Sequence, residues 1–365
     1  MKKTKVLAIV LTLFISMSIP AAARADSSDA GTAGQAGLTI QQAIDMALKN
    51  SSSIKMNDYN IKSAEITLDD ASDAVTYMPT GQADESVISA VTALESANIS
   101  WNMANKSKDT EEDKTVYTVF KDYTGVLQAL ENLQYAEQAM SNARWQILMA
   151  SNTHQVGMIS QYQMDQAELQ HQTAQNSLTN AQVALDSAYH SLNQDIGLQP
   201  DERPSLAEQP AYSKLVVDDV EAYAHRITES SPSIWQADSQ ISVAKIQLDL
   251  SAYANTTGNG YQTRKLAIDK AELSASSARD SMEQAVRTLY SSILNLENTY
   301  DLQLQALQQT EATLEVTKLK YDLGMATKDD VQTAQLNLSN DRKSLNSTIY
   351  QHEQLKLAFE KPWAY

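Results

Sequence analysis

The chain has 365 residues and carries 45 acidic against 28 basic side chains, a net charge of −17 at neutral pH. That balance disfavours nucleic acid and anionic lipid surfaces as partners held by general electrostatics. There is no cysteine, which excludes a disulfide framework and a lipid-modified cysteine, and the aromatics are mostly tyrosine (16 Tyr, 3 Phe), which argues against a large conventional globular core.

In chain order, the first signal is a basic start at Lys2, Lys3 and Lys5, then an apolar run from Val6 to Ile19. Pro20 and the small residues Ala21, Ala22, Ala23 and Ala25 follow. This is the layout of a cleavable secretory signal peptide over residues 1–25, cut before Asp26. The alternative is an uncleaved anchor, but the apolar run is short for a membrane span. Cleavage removes four basic residues (Lys2, Lys3, Lys5 and Arg24), so the mature charge becomes −21. No later stretch approaches the ~20 apolar residues that a membrane helix needs. The reading is of an exported chain that is soluble or held in the cell envelope or at the cell surface by assembly. Gly31, Gly34 and Gly37, set among Ser and Ala, suggest a flexible leader over 26–37.

From residue 38 onward, Gly and Pro mark a few boundaries. A short amphipathic helix over Thr39–Ala47 and a medium helix over Ile54–Ala71 precede Pro79 and Gly81. Residues 82–156 contain Gly125 as their one helix breaker, and 158–196 contain none. Gly197, Pro200, Pro204 and Pro210 mark a linker over 199–214. Gly258 and Gly260 form the next break, followed by uninterrupted stretches over 261–323 and 325–361 and a short tail over 362–365. A helix over 261–323 is about 95 Å long, longer than a single globular domain requires.

Val286, Ile293, Tyr300, Leu307, Leu314 and Tyr321 recur at heptad spacing, with Met282, Leu289 and Leu296 in the second apolar position. Gln303, Thr310 and Thr317 then take that position, so the seam turns half-polar toward Gly324. An offset of 167 residues reproduces the pattern: Val119, Val126, Leu133, Met140 and Ile147 answer Val286 to Leu314, and Gly157 falls on Gly324. An offset of 180 joins Ala64–Leu68 to Ala244–Leu248. The expected organisation is therefore a tandem repeat over 38–198 and 215–361. In each copy a Gly turn, at Gly157 or Gly324, closes an antiparallel helical hairpin. Ser160 and Thr327 are placed to cap the returning helices, and Asp329 and Asp330 lie in a first turn. The fold class is all-α: elongated antiparallel coiled-coil hairpins.

The opening Leu38–Leu48, the medium helix, the tips Val156-Gly157-Met158 and Leu323-Gly324-Met325, and the continuation Asp330–Leu336 resemble the TolC-type outer-membrane efflux family. The duplicated order is also that family's. The resemblance implies a homotrimer whose hairpins build a hollow helical tunnel for efflux or secretion. It implies an adaptor (membrane-fusion) protein docked at the tips and an inner-membrane pump beyond it. It makes Gly157, Met158, Gly324 and Met325 the adaptor-contacting tips and Asp330 an acid at the tunnel constriction. Gln163 stands at the matching place in the first repeat, where no acid is present. The family inserts barrel strands between the medium and long helices. Here the second repeat has only about Tyr253–Tyr261, too short for two spanning strands of ~10 residues each. In the first repeat the stretch to Met103 reads equally as helix, with Ala97–Trp101 at best one short strand. The barrel is therefore expected to be absent, which leaves outer-membrane insertion without a means.

No catalytic or cofactor motif stands out, and the chain is not expected to be an enzyme. The five histidines show no metal-ligand spacing, and His171 and His352 fall on heptad seams where a packed or lumen-facing imidazole is expected. Met140, Met149 and Met158 read as packing residues rather than a metal set. Two other functions compete with a conduit. One is a barrel-less envelope scaffold of the same fold; the other is a long-hairpin pore-forming toxin, which lacks the apolar tongue it would need.

Overall fold

The computed structural model describes residues 37–75, 85–251 and 260–365. The expected signal peptide, the leader up to Ala36 and the Pro79–Gly81 punctuation lie outside the described residues. The described residues form eight helices: α1 (Ile40–Asn50), α2 (Ser52–Asp73), α3 (Glu85–Gln155), α4 (Gln161–Ile196), α5 (Val220–Ser230), α6 (Pro232–Ser251), α7 (Gly260–Asp322) and α8 (Lys328–Glu360). Short, medium, very long and long helices follow one another twice in that order. A single 3-10 turn over Pro362–Ala364 ends the chain.

Local chemistry sets the helix ends. Thr39 starts α1 with a reciprocal capping box to Gln42, and Ser51 accepts from the Ile54 amide to start α2 directly afterwards. Pro232 opens α6, where its missing amide proton costs nothing. Gly125 does not interrupt α3, which runs through it for 71 residues, about 105 Å. Of the two readings open for Ala97–Trp101 the helix holds: these residues lie inside α3, where Asn102 and Asn105 donate to carbonyls four residues back. A continuous helix satisfies every backbone group there without a partner strand. Among the described residues there is no strand, only an isolated parallel bridge between Leu38 and Leu206. Residues 74–84 and 252–259 separate the medium from the long helices, each stretch shorter than two spanning strands of ~10 residues. No described helix is long and apolar enough to cross a membrane.

The long helices pair as two antiparallel hairpins, α3 with α4 and α7 with α8, and α8 lies antiparallel along α3. The register of that last pairing can be followed end to end. Asp113 accepts from Trp363, Gln354 donates to Thr124, Gln128 donates to Ser347, and Asn346 and Tyr350 donate to Glu131. Nearer the tips, Gln146 donates to Asp329.

The buried core is a belt midway along the rods. One cluster joins Ala43 and Ala47 of α1 to Val119, Tyr123 and Val126 of α3 and to Leu192 and Ile196 of α4. A second joins Ala224 of α5 to Val286, Leu289 and Ile293 of α7 and Phe359 of α8. Val119 and Val126 are buried as completely as their counterparts Val286 and Ile293, so the heptad seams do face the core. The seam fades before the tip: Tyr321, its last member, is 46% exposed.

The linker is strapped across the belt rather than hanging free. The Leu38 amide donates to the Ser205 carbonyl, the Leu38 carbonyl accepts from the Ala207 amide, and the Tyr123 hydroxyl donates to the carbonyls of Leu38 and Glu208. Asn193, fully buried, donates its amide to the carbonyls of Gln199, Pro200 and Glu202, folding the linker's start back on α4. The tail is held too, because Lys361 and Trp363 both reach Asp113 on α3.

Candidate functional site: the hairpin tips

Each long helix ends in the same way. At the first tip the Gly157 amide donates to the His154 carbonyl and the Met158 amide to the Thr153 carbonyl. At the second, Gly324 donates to Tyr321 and Met325 to Lys320. These are Schellman closures, which require a left-handed residue; Gly157 has φ +74° and Gly324 φ +73°. A side chain at either glycine would point into open space, so the constraint is the backbone angle and not crowding.

The returning helices also start alike. Ser160 accepts from the Gln163 amide while the Gln163 side chain accepts from the Ser160 amide at 2.9 Å. Thr327 and Asp330 make the same reciprocal pair, with Asp330 Oδ2 receiving the Thr327 amide at 2.7 Å and its hydroxyl at 2.8 Å. The two donors from Thr327, the amide first, hold the Asp330 carboxyl below the usual aspartate range. Asp330 is thus a capping residue at a fully exposed position. Gln163 meets the same geometric demand, so the acid in one repeat and the amide in the other are interchangeable parts of a cap.

The turns leave apolar side chains in water. Met158 is 76% exposed and Met325 73%, with Val156 and Leu323 beside them equally open. The sequence placed Val156 and Leu323 in the tip segments but gave a contact role only to the glycines and methionines, and the two residues are as open as the methionines. Sequence reasoning missed the stagger of the tips. Lys328, in the first turn of α8, stacks over the Trp145 ring at 4.2 Å, ten residues before α3 ends. The first tip therefore projects about 10 Å beyond the second.

Two further polar groups lie in the belt. His352, completely buried, has Nδ1 3.0 Å from Glu353 and Nε2 3.4 Å from Glu297. The same two carboxylates accept the backbone amides of Ser213 and Leu215, so this cluster fastens the end of the linker to α7 and α8. Tyr212 stacks on Tyr300 above it. Between α3 and α4, Asp122 and Asp195 form a carboxyl pair; burial, then the Asp122 charge, pushes Asp195 up to about 6. Among the described residues no group of His, Asp or Glu has the makings of a metal site.

The fold is similar to that of solved outer membrane channels. Among solved structures, the chain is similar to the CmeC outer membrane channel of Campylobacter jejuni (TM-score 0.62, 13% identity, 89% of this chain and 85% of that one). It is also similar to the outer membrane protein VceC of Vibrio cholerae (0.61, 16%, 89% and 95%) and the MtrE outer membrane channel of Neisseria gonorrhoeae in its open state (0.60, 15%, 89% and 88%). No known family profile and no curated protein matches the sequence. The shared fold is that of the TolC-type channels, with the described residues all on its helical side.

Proposed function

We propose that this chain is a non-enzymatic subunit of a helical conduit in the cell envelope, acting in efflux or secretion as a homotrimer. Its mature form follows removal of residues 1–25, and its two repeats over 38–198 and 215–361 each supply one hairpin to the tunnel wall. The observation that carries this is the unpartnered outer face of the hairpins. On α4, Leu169 and Val183 are 64% and 63% exposed, and on α7, Leu302 and Leu319 are 68% and 57% exposed. Rods with apolar stripes on a second side need neighbours, and identical hairpins from other subunits supply them. In this reading Gly157, Met158, Gly324 and Met325 meet an adaptor protein that links the conduit to an inner-membrane pump, and Asp330 lies at the tip-proximal mouth. Light scattering of the mature protein tests the assembly: a trimer is expected, and a stable monomer at all concentrations overturns the conduit.

One observation favours a second reading, a scaffold of the same fold. The connections 74–84 and 252–259 are too short for paired spanning strands, and the described residues contain no strand. Conductance in planar bilayers separates the two: steady channels support the conduit, whereas an assembled but silent protein supports the scaffold.

A further inference from the structure

Among the described residues His352 is the one completely buried imidazole, and both of its nitrogens face a carboxylate: Nδ1 lies 3.0 Å from Glu353 and Nε2 3.4 Å from Glu297. A neutral imidazole has a single N–H and can serve only one of them. Its other nitrogen then turns a lone pair toward a second anion, where Glu297 is only 3% exposed and water cannot intervene. An imidazolium has two N–H groups and serves both acids. The geometry therefore calls for one proton more than a neutral ring and two carboxylates carry. That proton belongs on the ring, because an imidazole is more basic than a carboxylic acid. Glu353 stays ionised beside it: burial works to raise its pKa, but the bonds from His352 and Lys356 hold the carboxyl below the usual glutamate range.

No other neighbour can serve both acids at once. On α8, Lys356 lies 3.0 Å from Glu353 and also donates to the Ser213 carbonyl. On the linker, Lys214 approaches Glu297 only to 3.9 Å and is itself largely in water. The Tyr212 ring covers the imidazole; burial, then the charges of Glu297 and Asp301, push its hydroxyl above the usual tyrosine range. On α7, Tyr300 stacks on Tyr212, and Asp301 adds only negative charge. Histidine is thus the member of the cluster whose ordinary titration lies between about pH 5 and 8.

The same acids hold the linker, Glu297 accepting the Leu215 amide at 2.8 Å and Glu353 the Ser213 amide at 3.2 Å. We infer that Glu297, His352 and Glu353 form a proton-operated latch, closed on the end of the linker when the imidazole is charged and loosened when it is neutral. While both carboxylates are ionised, closure is complete on the acid side of the imidazole titration and is lost as pH rises through it. Leu215 loosens more than Ser213, because Lys356 keeps its hold on Ser213 in either state. Loosening detaches the segment leading into α5 from the second buried cluster, against which Leu215 packs.

Hydrogen exchange of the full-length protein tests this, with each amide's rate divided by that of an unstructured peptide at the same pH. Protection at Leu215 is expected to fall about tenfold or more between about pH 6 and 9, the loss of one charge-assisted hydrogen bond. Protection at Glu202, whose amide donates to the Gln199 carbonyl in the same linker, should not change. His352→Gln keeps one donor and one acceptor at every pH, so its Leu215 protection should be low and flat. Should that variant fail to fold, spectra of the parent carrying nitrogen-labelled histidine decide alone. At about pH 6 both ring nitrogens of His352 are expected to be protonated, and their deprotonation should track the loss of protection. Flat protection in the parent, a pH step that survives in His352→Gln, or a neutral His352 ring at the acid end overturns the proposal.

Discussion

The belt and the tipward halves of the hairpins are made of the same helices, yet they are held by different means. In the belt, α3, α4, α7 and α8 each bury residues against α1, α5, the linker or one another, and Tyr123, Ile293 and Phe359 are almost wholly out of water. Toward the tips α4 buries nothing between Gln161 and Ala188, and α7 buries only Leu314 beyond Glu297. The belt is the part that holds one chain together, whereas the rods keep apolar side chains in water. In the proposed conduit, that second apolar face is the surface that neighbouring subunits would cover.

Substitutions can break this contrast or sharpen it. The largest effect is expected for Phe359→Ala, which empties the place where its ring stacks on Tyr223 at 4.4 Å and should cost about 3–5 kcal/mol. Leu302→Ala, at an open position on α7, should stay within about 0.5 kcal/mol in the unassembled subunit and weaken assembly instead. Urea denaturation followed by circular dichroism, beside light scattering, reads both; equal costs would erase the distinction between belt and rod. His352→Leu leaves Glu297 and Glu353 buried without their shared partner and should cost about 3 kcal/mol. It should also free the linker, seen as faster amide exchange at Ser213 and Leu215. Gly324→Val forces a branched residue to φ +73° and should cost about 1–2 kcal/mol. That loss should appear as proteolytic nicking at residues 321–327 with the belt intact, and pull-down of an adaptor should weaken.

One substitution is expected to give a gain. Asp195 has a folded pKa of about 6, above its unfolded value, so the folded state binds more protons between the two. Stability tied to this pair is present at low pH and falls as pH rises through about 6. Asp195→Asn removes that loss and should stabilise the protein by about 1 kcal/mol above pH 6, the shift being discounted because the pair is half open to solvent. Its Tm should depend less on pH between 4 and 6 than the parent's; an unchanged profile would show that the pair does not share a proton.

The glycine and proline spacing made the helices legible because a helix interior disfavours both residues, and the heptads made their inward faces legible because burial repeats with the helical turn. Gly157 and Gly324 could be read as turns, since a Schellman closure demands what only glycine supplies cheaply. Asp330 could be placed in a first turn, but its bond to Thr327 and its equivalence with Gln163 needed coordinates. Residues Ala97–Trp101 left helix and short strand open, because Ile and Trp favour strands when read alone, and the long helix overrides so short a preference. The His352 cluster was hidden for another reason: it joins α7, α8 and the linker, whose mutual register no local pattern encodes.

What the sequence determined by itself is therefore local and periodic: which stretches are rods, which side of each rod is oily, and where a rod must turn. The tertiary structure decided how far one rod slides along the next. It put Lys328 over Trp145 and staggered the two tips. Heptads recur identically at every turn, so they specify a face and leave the sliding coordinate open. That coordinate is chosen only when single events, such as the pairing of Glu131 with Tyr350, Asp113 with Trp363 and Glu297 with His352, join one helix to another.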